Sequence, residues 1–175
     1  LATGKNGAII HYRPEEQNSK IILRDKLLLI DSGGQYYDGT TDITRTIAFT
    51  DQHQEVKDIY TYVLKAHIAL ARLKFKAKTR GNEIDAIVRS KLWEKGLDYN
   101  HGTGHGVGFC LCVHEFPPVI SKNISPALKA GQLISNEPGY YLENAFGIRL
   151  ENLVLVQDNK ASNSQYLEFE TVSFC

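Results

Sequence analysis

The pattern of apolar and polar residues predicts strands at the start of the chain, then two helices, then further strands. The first strand-like runs are GAIIHYRP, KLLLIDS and TDITRTIAF, and Asp42, Thr44 and Thr46 share one face of the third. Later strands are predicted in VGFCLCVHE, GQLISNEPGYY, FGIRLENLVLVQ and QYLEFETVSF. Because strands and helices are segregated along the chain, the pattern favours an α+β fold with an antiparallel sheet.

Both predicted helices are amphipathic. The first extends from Asp51 to about Lys76, and Asp51 and Gln54 resemble a capping box. The second begins with Asn82 as its cap and ends at Gly96. The apolar residues of each helix fall on one stripe, which predicts that both helices pack against the sheet.

Composition narrows the class of protein. A chain of 175 residues with 42% hydrophobic and 23% charged residues is typical of a single globular domain. Lys+Arg and Asp+Glu balance at 20 each, which argues against nucleic acid as a partner. We see no signal peptide and no apolar run near the length of a membrane span, and so we expect no membrane partner. Three cysteines without a framework spacing indicate a reducing, cytoplasmic compartment.

An unusual density of carboxylates follows the apolar run KLLLI, in the segment DSGGQYYDGTTD. Turn chemistry is one explanation for its aspartates and glycines, and a metal site is the other. The segment does not match a calcium-binding EF-hand loop, because Gly33, Gln35 and Tyr36 occupy its third, fifth and sixth positions. A metal bound by Asp31 and Asp42 therefore needs further ligands from elsewhere.

The glycine-rich segment NHGTGHGVG, residues 100–108, contains His101 and His105. Its glycines, and the lack of a Glu after the first His, argue against a zinc-binding helix, and Val107 breaks the dinucleotide fingerprint. The glycines predict a backbone that turns sharply and comes close to another group. A flexible loop with incidental histidines is the alternative.

Two glutamates stand at the ends of apolar runs, where each could also be an ordinary exposed acid. Glu137 directly precedes Pro138, and Glu151 follows Arg149 by two residues. Since a bare buried carboxylate is costly, we expect Arg149 on the same strand face to pair with Glu151.

Cys110, Cys112 and His114 alternate along the predicted strand VGFCLCVHE. A zinc site there would need a fourth ligand, and so we expect both thiols to be buried, reduced and free of metal.

Together the candidate ligands comprise four carboxylates and one imidazole: Asp31, Asp42, His105, Glu137 and Glu151. Four negative charges in one pocket cannot all stay ionised without cations, and two divalent ions balance them. An oxygen-rich set without thiolates favours Mn²⁺, with Co²⁺ or Zn²⁺ as alternatives.

These residues and their settings resemble those of the pita-bread metallopeptidases, which include methionine aminopeptidase, prolidase and the Xaa-Pro aminopeptidases. The motifs GAIIHYRP, LLLIDSGGQYYDGTTDITRT, HGTGHGVG, VHE, SNEPGYY and GIRLEN occur in that family's order, most like cytosolic-type Xaa-Pro aminopeptidases. The resemblance implies a curved, mostly antiparallel sheet with helices on its outer face. It also implies that residues 1–175 are one catalytic domain trimmed at its N-terminal side, without the family's additional N-terminal domains. We expect such a fragment to bind metal weakly.

The ligand roles also follow from the resemblance. Asp31 would bind one metal only, Asp42 and Glu151 would bridge both metals, and His105 and Glu137 would complete the second.

The same resemblance implies that His11, His101 and His114 contact substrate. Glu137, His114 and His11 would be catalytic, and Arg149 would support a ligand carboxylate.

The implied reaction is removal of the N-terminal residue from peptides with proline in second position, by attack of a metal-bridging hydroxide. We expect the full-length protein to be a homodimer. A prolidase would use the same metals on dipeptides. A creatinase-like hydrolase lacks these ligands, and non-catalytic binding modules on this fold have usually lost some of them.

Overall fold

The computed structural model describes residues 1–17, 19–160 and 165–174. Two helices and eleven strands are found in these ranges, together with a short 3₁₀ helix at Gly4–Ala8. The helices are α1 (Gln54–Ala71) and α2 (Gly81–Trp93). The strands are β1 (Ala2–Thr3), β2 (Leu28–Gln35), β3 (Thr40–Ile47), β4 (Lys74–Lys76), β5 (Gly104–Gly106), β6 (Glu115–Ile120), β7 (Leu133–Asn136), β8 (Gly139–Leu142), β9 (Phe146–Arg149), β10 (Asn152–Asp158) and β11 (Tyr166–Thr171).

The strands form three antiparallel sheets. One has the order β1-β2-β3, a second has the order β4-β11-β10-β7-β5-β6, and β8 pairs with β9. Both helices pack on the six-stranded sheet, where Val63 and Leu70 of α1, Val88 of α2, and Val154 and Phe169 of the sheet belong to one core. The predicted α+β class with antiparallel pairing is therefore confirmed. None of the described helices combines the length and apolarity needed to cross a bilayer.

The three-stranded sheet is joined to the rest by hydrogen bonds between β3 and the β9–β10 segment. Thr46 Oγ1 donates to the Arg149 carbonyl at 3.0 Å and accepts from the Arg149 amide at 3.1 Å. The Glu151 amide donates to the Thr44 carbonyl at 3.0 Å. These contacts bring the β2–β3 hairpin, with Asp31 and Asp42, against the strand that leads to Glu151.

The helix boundaries differ from those predicted. Helix α1 begins after His53, because Asp51 forms an ion pair with Lys57 at 2.6 Å and does not cap the helix. It ends at Ala71, since residues 74–76 pair with β11 as a strand.

Helix α2 begins two residues earlier than predicted. Arg80 is its N-cap, and the Arg80 amide donates to Glu83 Oε2 at 2.7 Å. Asn82 is therefore inside the helix.

Two predicted strands are wrong. The run GAIIHYRP forms the end of the 3₁₀ helix and an irregular segment, because turn hydrogen bonds join the Ile9 amide to the Asn6 carbonyl and the Tyr12 amide to the Ile9 carbonyl. The run VGFCLCVHE is a loop through His114, in which Cys110 and Leu111 have φ of 50° and 70°.

The predicted burial of the cysteines is also wrong, since Cys110 and Cys112 are exposed, although both are free thiols as expected. They lie in that loop, outside every sheet, and do not share a strand face with His114. The strand in this region is β6, which contains Pro117 and Pro118. Prolines are tolerated there because β6 is at the edge of its sheet.

Gly81→Ala tests the contact between α2 and β6. A Cβ at Gly81 would lie 1.8 Å from the carbonyl oxygen of Val119. We expect denaturant unfolding to show a loss of about 1–3 kcal/mol, although alanine is the better helix former. Gly39→Ala is the control, since nothing lies within 4 Å of its Cβ position. Equal stabilities of the two variants would contradict the contact.

Candidate metal centre

All the predicted site residues line one cavity of about 360 Å³. The cavity lies where the β2–β3 hairpin, the β5–β6 segment and the β7–β10 segment meet. Its lining includes His11, Asp31, Asp42, His101, His105, His114, Glu137, Arg149 and Glu151. A larger cavity of about 840 Å³ lies beside Thr3 and Phe146. Among the described residues, however, only the smaller cavity brings three metal-ligating side chains close enough for one ion.

The ligand atoms converge on His105. Its Nε2 lies 3.4 Å from Glu137 Oε1 and 3.6 Å from Asp42 Oδ2. Asp42, His105 and Glu151 each offer a ligand atom within 4.8 Å of the other two. Donors about 2.0–2.2 Å from a shared ion stand at comparable separations from one another. The arrangement therefore suits a metal held between these side chains.

The glycines on either side of His105 explain how it reaches the cavity. A Cβ at Gly104 would lie 1.9 Å from the Ser135 carbonyl oxygen, and one at Gly106 would lie 2.2 Å from the Glu115 carbonyl oxygen. Strand β5 thus fits between β7 and β6 only because both positions are glycine. The predicted close approach is correct, and the groups approached are the neighbouring strands.

Ser135 connects β5 with the ligand that follows β7. Its hydroxyl accepts a hydrogen bond from the His105 amide at 2.9 Å and donates to Glu137 Oε1 at 2.8 Å. The Glu137 amide donates to the Thr103 carbonyl at 2.9 Å. Two candidate ligands, one on β5 and one directly after β7, are thereby held relative to each other by one serine.

Glu151 has a different partner from the one predicted. Thr44 Oγ1 donates to Glu151 Oε2 at 2.6 Å and accepts from Arg149 Nε at 3.1 Å. Arg149 Nη2 instead contacts Asp31 Oδ2, and Nη1 donates to the Tyr141 hydroxyl at 3.2 Å. The predicted pairing is wrong because β9 ends at Arg149 and β10 begins at Asn152, so the two residues do not alternate along one strand. Arg149 does support a candidate ligand carboxylate, that of Asp31.

Burial and mutual repulsion raise the pKa values of three carboxyl groups. Burial, followed by the charges of Glu137 and Asp42, raises the pKa of Glu151 well above its usual value. Burial, followed by the charges of Asp42 and Asp31, raises the pKa of Glu137 to about 7. Burial and Asp31 raise the pKa of Asp42 to about 6, whereas burial lowers the pKa of His105. Divalent cations would relieve this repulsion, so the donor set fits them.

Two histidines have defined contacts. The ring of His114 stands edge-on to that of His105, with 4.2 Å between ring centroids. His101 Nδ1 lies 2.8 Å from the Gly102 carbonyl oxygen and Nε2 lies 2.9 Å from the Tyr141 hydroxyl. Burial lowers the pKa of His101 to about 4, so the ring is neutral at physiological pH. A neutral ring that donates from Nδ1 to the carbonyl accepts at Nε2 from Tyr141.

Sequence reasoning missed three polar residues that organise the site: Thr44, Ser135 and Tyr141. A signal existed for Thr44, which follows Asp42 by two residues on the same strand face. Ser135 likewise precedes Glu137 by two residues. Tyr141 had no such signal, because its contacts come from distant segments.

The antiparallel α+β fold and the cavity lined by four carboxylates and an imidazole are those expected of the pita-bread class of metallopeptidases. Residues 1–158 match the profile of metallopeptidase family M24, and the chain belongs to that family. The resemblance inferred from the motifs is therefore confirmed.

Relatives and solved structures agree with this membership. The chain is 51% identical to a probable Xaa-Pro aminopeptidase P from Laccaria bicolor and 50% identical to aminopeptidase P2 from Arabidopsis thaliana, with 99% and 98% of the chain aligned. It spans 28% and 25% of those proteins' lengths.

A solved X-prolyl aminopeptidase from Caenorhabditis elegans, described as a cytosolic enzyme with a di-nuclear active site, superposes with a TM-score of 0.90 and 40% identity. The match covers 97% of this chain and 28% of that one. Prolidase from Pyrococcus furiosus superposes with a TM-score of 0.86 and 31% identity, over 99% of this chain and 48% of that one. The pita-bread fold predicted from the sequence is confirmed by these structures.

The stability of the metal-free protein should depend on pH through this cluster. The pKa values of Asp42 and Glu137 rise from 3.8 and 4.5 to about 6 and about 7 in the fold. The folded state therefore holds more protons than the unfolded state between these values, and stability falls as pH rises through that window. Between about pH 5 and about pH 8, the wild type should lose a few degrees in Tm relative to Asp42→Asn.

Saturating Mn²⁺ at the higher pH should reverse the order of the two proteins, because only the carboxylate binds the ion well. A Tm difference that is constant across pH in the metal-free proteins would contradict the prediction.

Proposed function

We propose that the protein containing this chain is a metal-dependent Xaa-Pro aminopeptidase, which removes the N-terminal residue from peptides with proline in second position. The observation that carries the proposal is the convergence of Asp31, Asp42, His105, Glu137 and Glu151 on one cavity that His11, His101 and His114 also line. The names of the relatives support it, as does the description of the C. elegans enzyme. A cytoplasmic location and a homodimeric full-length protein are further parts of the proposal.

The five converging side chains would hold two divalent ions. Such ions balance the carboxylate charge and lower the pKa of water toward neutrality for attack on a peptide carbonyl. Mn²⁺ is the ion we propose, because the set has one imidazole, four carboxylates and no thiolate. The assignment of single residues to one ion or to both is part of the proposal.

Glu137 is the proposed proton carrier. As a candidate ligand, Glu137 would stand beside the water that the ions activate, so its carboxylate is placed to accept and return a proton. The hydrogen bond from Ser135 holds its Oε1, so its orientation is set before substrate arrives.

The histidines are proposed to hold the substrate. His114 stands beside His105 and is exposed enough to donate to the oxygen that becomes charged during attack. His101 is neutral and held by Tyr141, and its ring forms part of the cavity wall. His11 lines the cavity from the irregular segment after the 3₁₀ helix.

The cavity wall also suits a substrate whose second residue has no amide hydrogen. Proline contributes no N–H, so its site needs apolar contact and no acceptor. Ile10 and Val119 supply aliphatic surface to the same cavity as the histidines. These contacts support proline in the second position of the substrate.

A prolidase is the second candidate, favoured by the superposition on the Pyrococcus furiosus enzyme. Assays of the full-length protein on Arg-Pro-Pro, Arg-Pro and Met-Ala-Ser, with and without Mn²⁺, separate the candidates. We expect Mn²⁺-dependent cleavage of Arg-Pro-Pro. Cleavage of Arg-Pro alone would establish the prolidase. Cleavage of none of the peptides would favour a binding module, although the chain retains all five ligand side chains.

Glu151→Gln should abolish metal binding and activity together. The amide keeps the shape of Glu151 but has no charge to balance the cations, and Thr44 Oγ1 can still donate to its oxygen. Metal analysis and peptide cleavage measure the two losses. Glu143→Gln is the control, since Glu143 is exposed and outside the cavity lining. A Glu151→Gln protein with full metal content would remove Glu151 from the ligand set.

His114→Ala should instead retain metal and lose turnover by about 10²–10³-fold, as expected for loss of one donor to a developing oxyanion. His53→Ala is the matched control, because His53 is exposed and its side chain makes no capping hydrogen bond. If the His114 variant also loses its metal, then His114 acts on the ligands and not on the substrate.

A further inference from the structure

Arg89 of α2 is buried outside the metal cavity, with 1% of its surface exposed. Its Nε donates to Asp85 Oδ2 at 2.7 Å. Its Nη1 donates to Asp98 Oδ1 at 2.7 Å and to the Tyr99 carbonyl at 2.6 Å, and its Nη2 donates to the His101 carbonyl at 2.7 Å. The guanidinium also lies over the Tyr99 ring, 3.9 Å from its centroid. One side chain thus makes four hydrogen bonds, and three of them go to residues 98–101.

The acceptors fit a guanidinium and no other side chain. Arginine presents five donors in a rigid plane, whereas lysine has three donors at a single point. Asp85 balances the buried charge of Arg89, and Asp98 is shared between Arg89 and Lys122, whose Nζ lies 2.9 Å from Asp98 Oδ2. Burial of such ion pairs contributes little net stability compared with apolar packing, so stability alone does not account for the arrangement.

The segment 98–103 is held at both ends by the Arg89–Asp85 pair. Asp98 and Tyr99 bind Arg89 at its start, and at its end Thr103 Oγ1 donates to Asp85 Oδ1 at 2.6 Å. The Thr103 hydroxyl also contacts the hydroxyl of Tyr99. The carbonyl of His101, in the middle, is the third anchor.

The fixed segment orients the His101 ring into the cavity. From a backbone held by Arg89, the ring reaches the Tyr141 hydroxyl at 2.9 Å and stands edge-on to the Tyr141 ring, 5.4 Å between centroids. Its other face lies against Tyr99, at a centroid distance of 4.9 Å.

We propose that Arg89 is a positioning residue for the cavity: by binding the His101 carbonyl and fixing residues 98–103, it sets the orientation of the His101 imidazole. Arg89 touches no residue of the ligand set. It holds the His101 carbonyl directly, and it reaches Glu137 only indirectly, through Asp85 and Thr103, whose carbonyl accepts from the Glu137 amide. The inference rests on the proposed function solely for the statement that His101 contacts substrate.

The surroundings of His101 provide a readout that is independent of activity. The groups that face the ring are the Tyr141 hydroxyl, the Tyr99 ring, Arg149, Arg89 and His11. Burial is the main cause that lowers the pKa of His101 to about 4, and the charges of Arg149 and Arg89 contribute to that lowering. A loosened segment admits water to the ring, and its pKa then rises toward the usual value.

Arg89→Lys in the full-length protein tests the inference, since it keeps the charge and loses the fork of donors. We expect kcat/KM to fall by about 10–100-fold, the effect of a small misplacement of a positioning group. Metal content should be unchanged. In protein isotope-labelled on the histidine rings, the His101 signal, assigned with His101→Gln, should titrate at a higher pH than in the wild type.

Val88→Ala is the matched control. Val88 is the adjacent residue on α2, is fully buried in the core and has no part in the Arg89 network. It should lower Tm while leaving kcat/KM and the His101 titration unchanged. A purely structural role of Arg89 predicts instead that both variants alter activity in proportion to their loss of stability.

Thr103→Val and Thr103→Ser keep the test decisive if Arg89→Lys does not fold. Valine has a similar volume but removes the hydrogen bond to Asp85, so Thr103→Val should shift the His101 titration. Serine keeps the hydroxyl, so Thr103→Ser should leave the His101 titration as in the wild type. A wild-type His101 titration in Arg89→Lys or in Thr103→Val would overturn the inference, as would an equal shift in Val88→Ala. If the wild type cleaves no prolyl peptide, the proposed function fails, but the His101 titration still decides the role of Arg89.

Discussion

Carboxylates that share a buried cavity lose hydration and repel one another, and the organisation of this protein follows from that constraint. Hydrogen-bond donors are placed against them one by one: Ser135 against Glu137, Thr44 against Glu151 and Arg149 against Asp31. These donors do not neutralise the cluster, since the pKa values of Asp42, Glu137 and Glu151 remain raised. The cluster therefore keeps an excess of negative charge, which divalent cations would balance. The chain belongs to a family of metallopeptidases, which agrees with this expectation.

Two kinds of backbone constraint bring the donors and acceptors together. Glycines at 104 and 106 let β5 lie between two neighbours at a distance that no side chain allows. Threonines at 44 and 46 bond the hairpin to the β9–β10 segment across more than a hundred residues of sequence. The positions of the charged side chains at the site thus depend on small, uncharged residues.

Much of the fold and of the candidate site was readable from the sequence where a pattern is local. Strands β2 and β3 and the apolar stripes of both helices follow from residue spacing, and the convergence of the five candidate ligands follows from charge balance and motif resemblance. The loop at Cys110 and Leu111 was not readable, because its left-handed backbone occurs without glycine. The partner of Glu151 was missed because the strand breaks after Arg149. Arg89 was missed because three of its four contacts lie on a segment whose conformation only the fold defines, and two of those are backbone carbonyls that carry no sequence signal.

The division of the candidate ligands between two sheets has a mechanical consequence. Asp31 and Asp42 belong to the three-stranded sheet, whereas His105 belongs to the six-stranded sheet and Glu137 follows one of its strands. An ion bound by both groups would link one sheet to the other. Separating the two sheets would then require releasing the ion, so metal binding would stabilise the junction between them. The Glu151 amide donates a hydrogen bond across that junction to the Thr44 carbonyl. Its hydrogen-exchange rate would therefore report how stably the two sheets are joined.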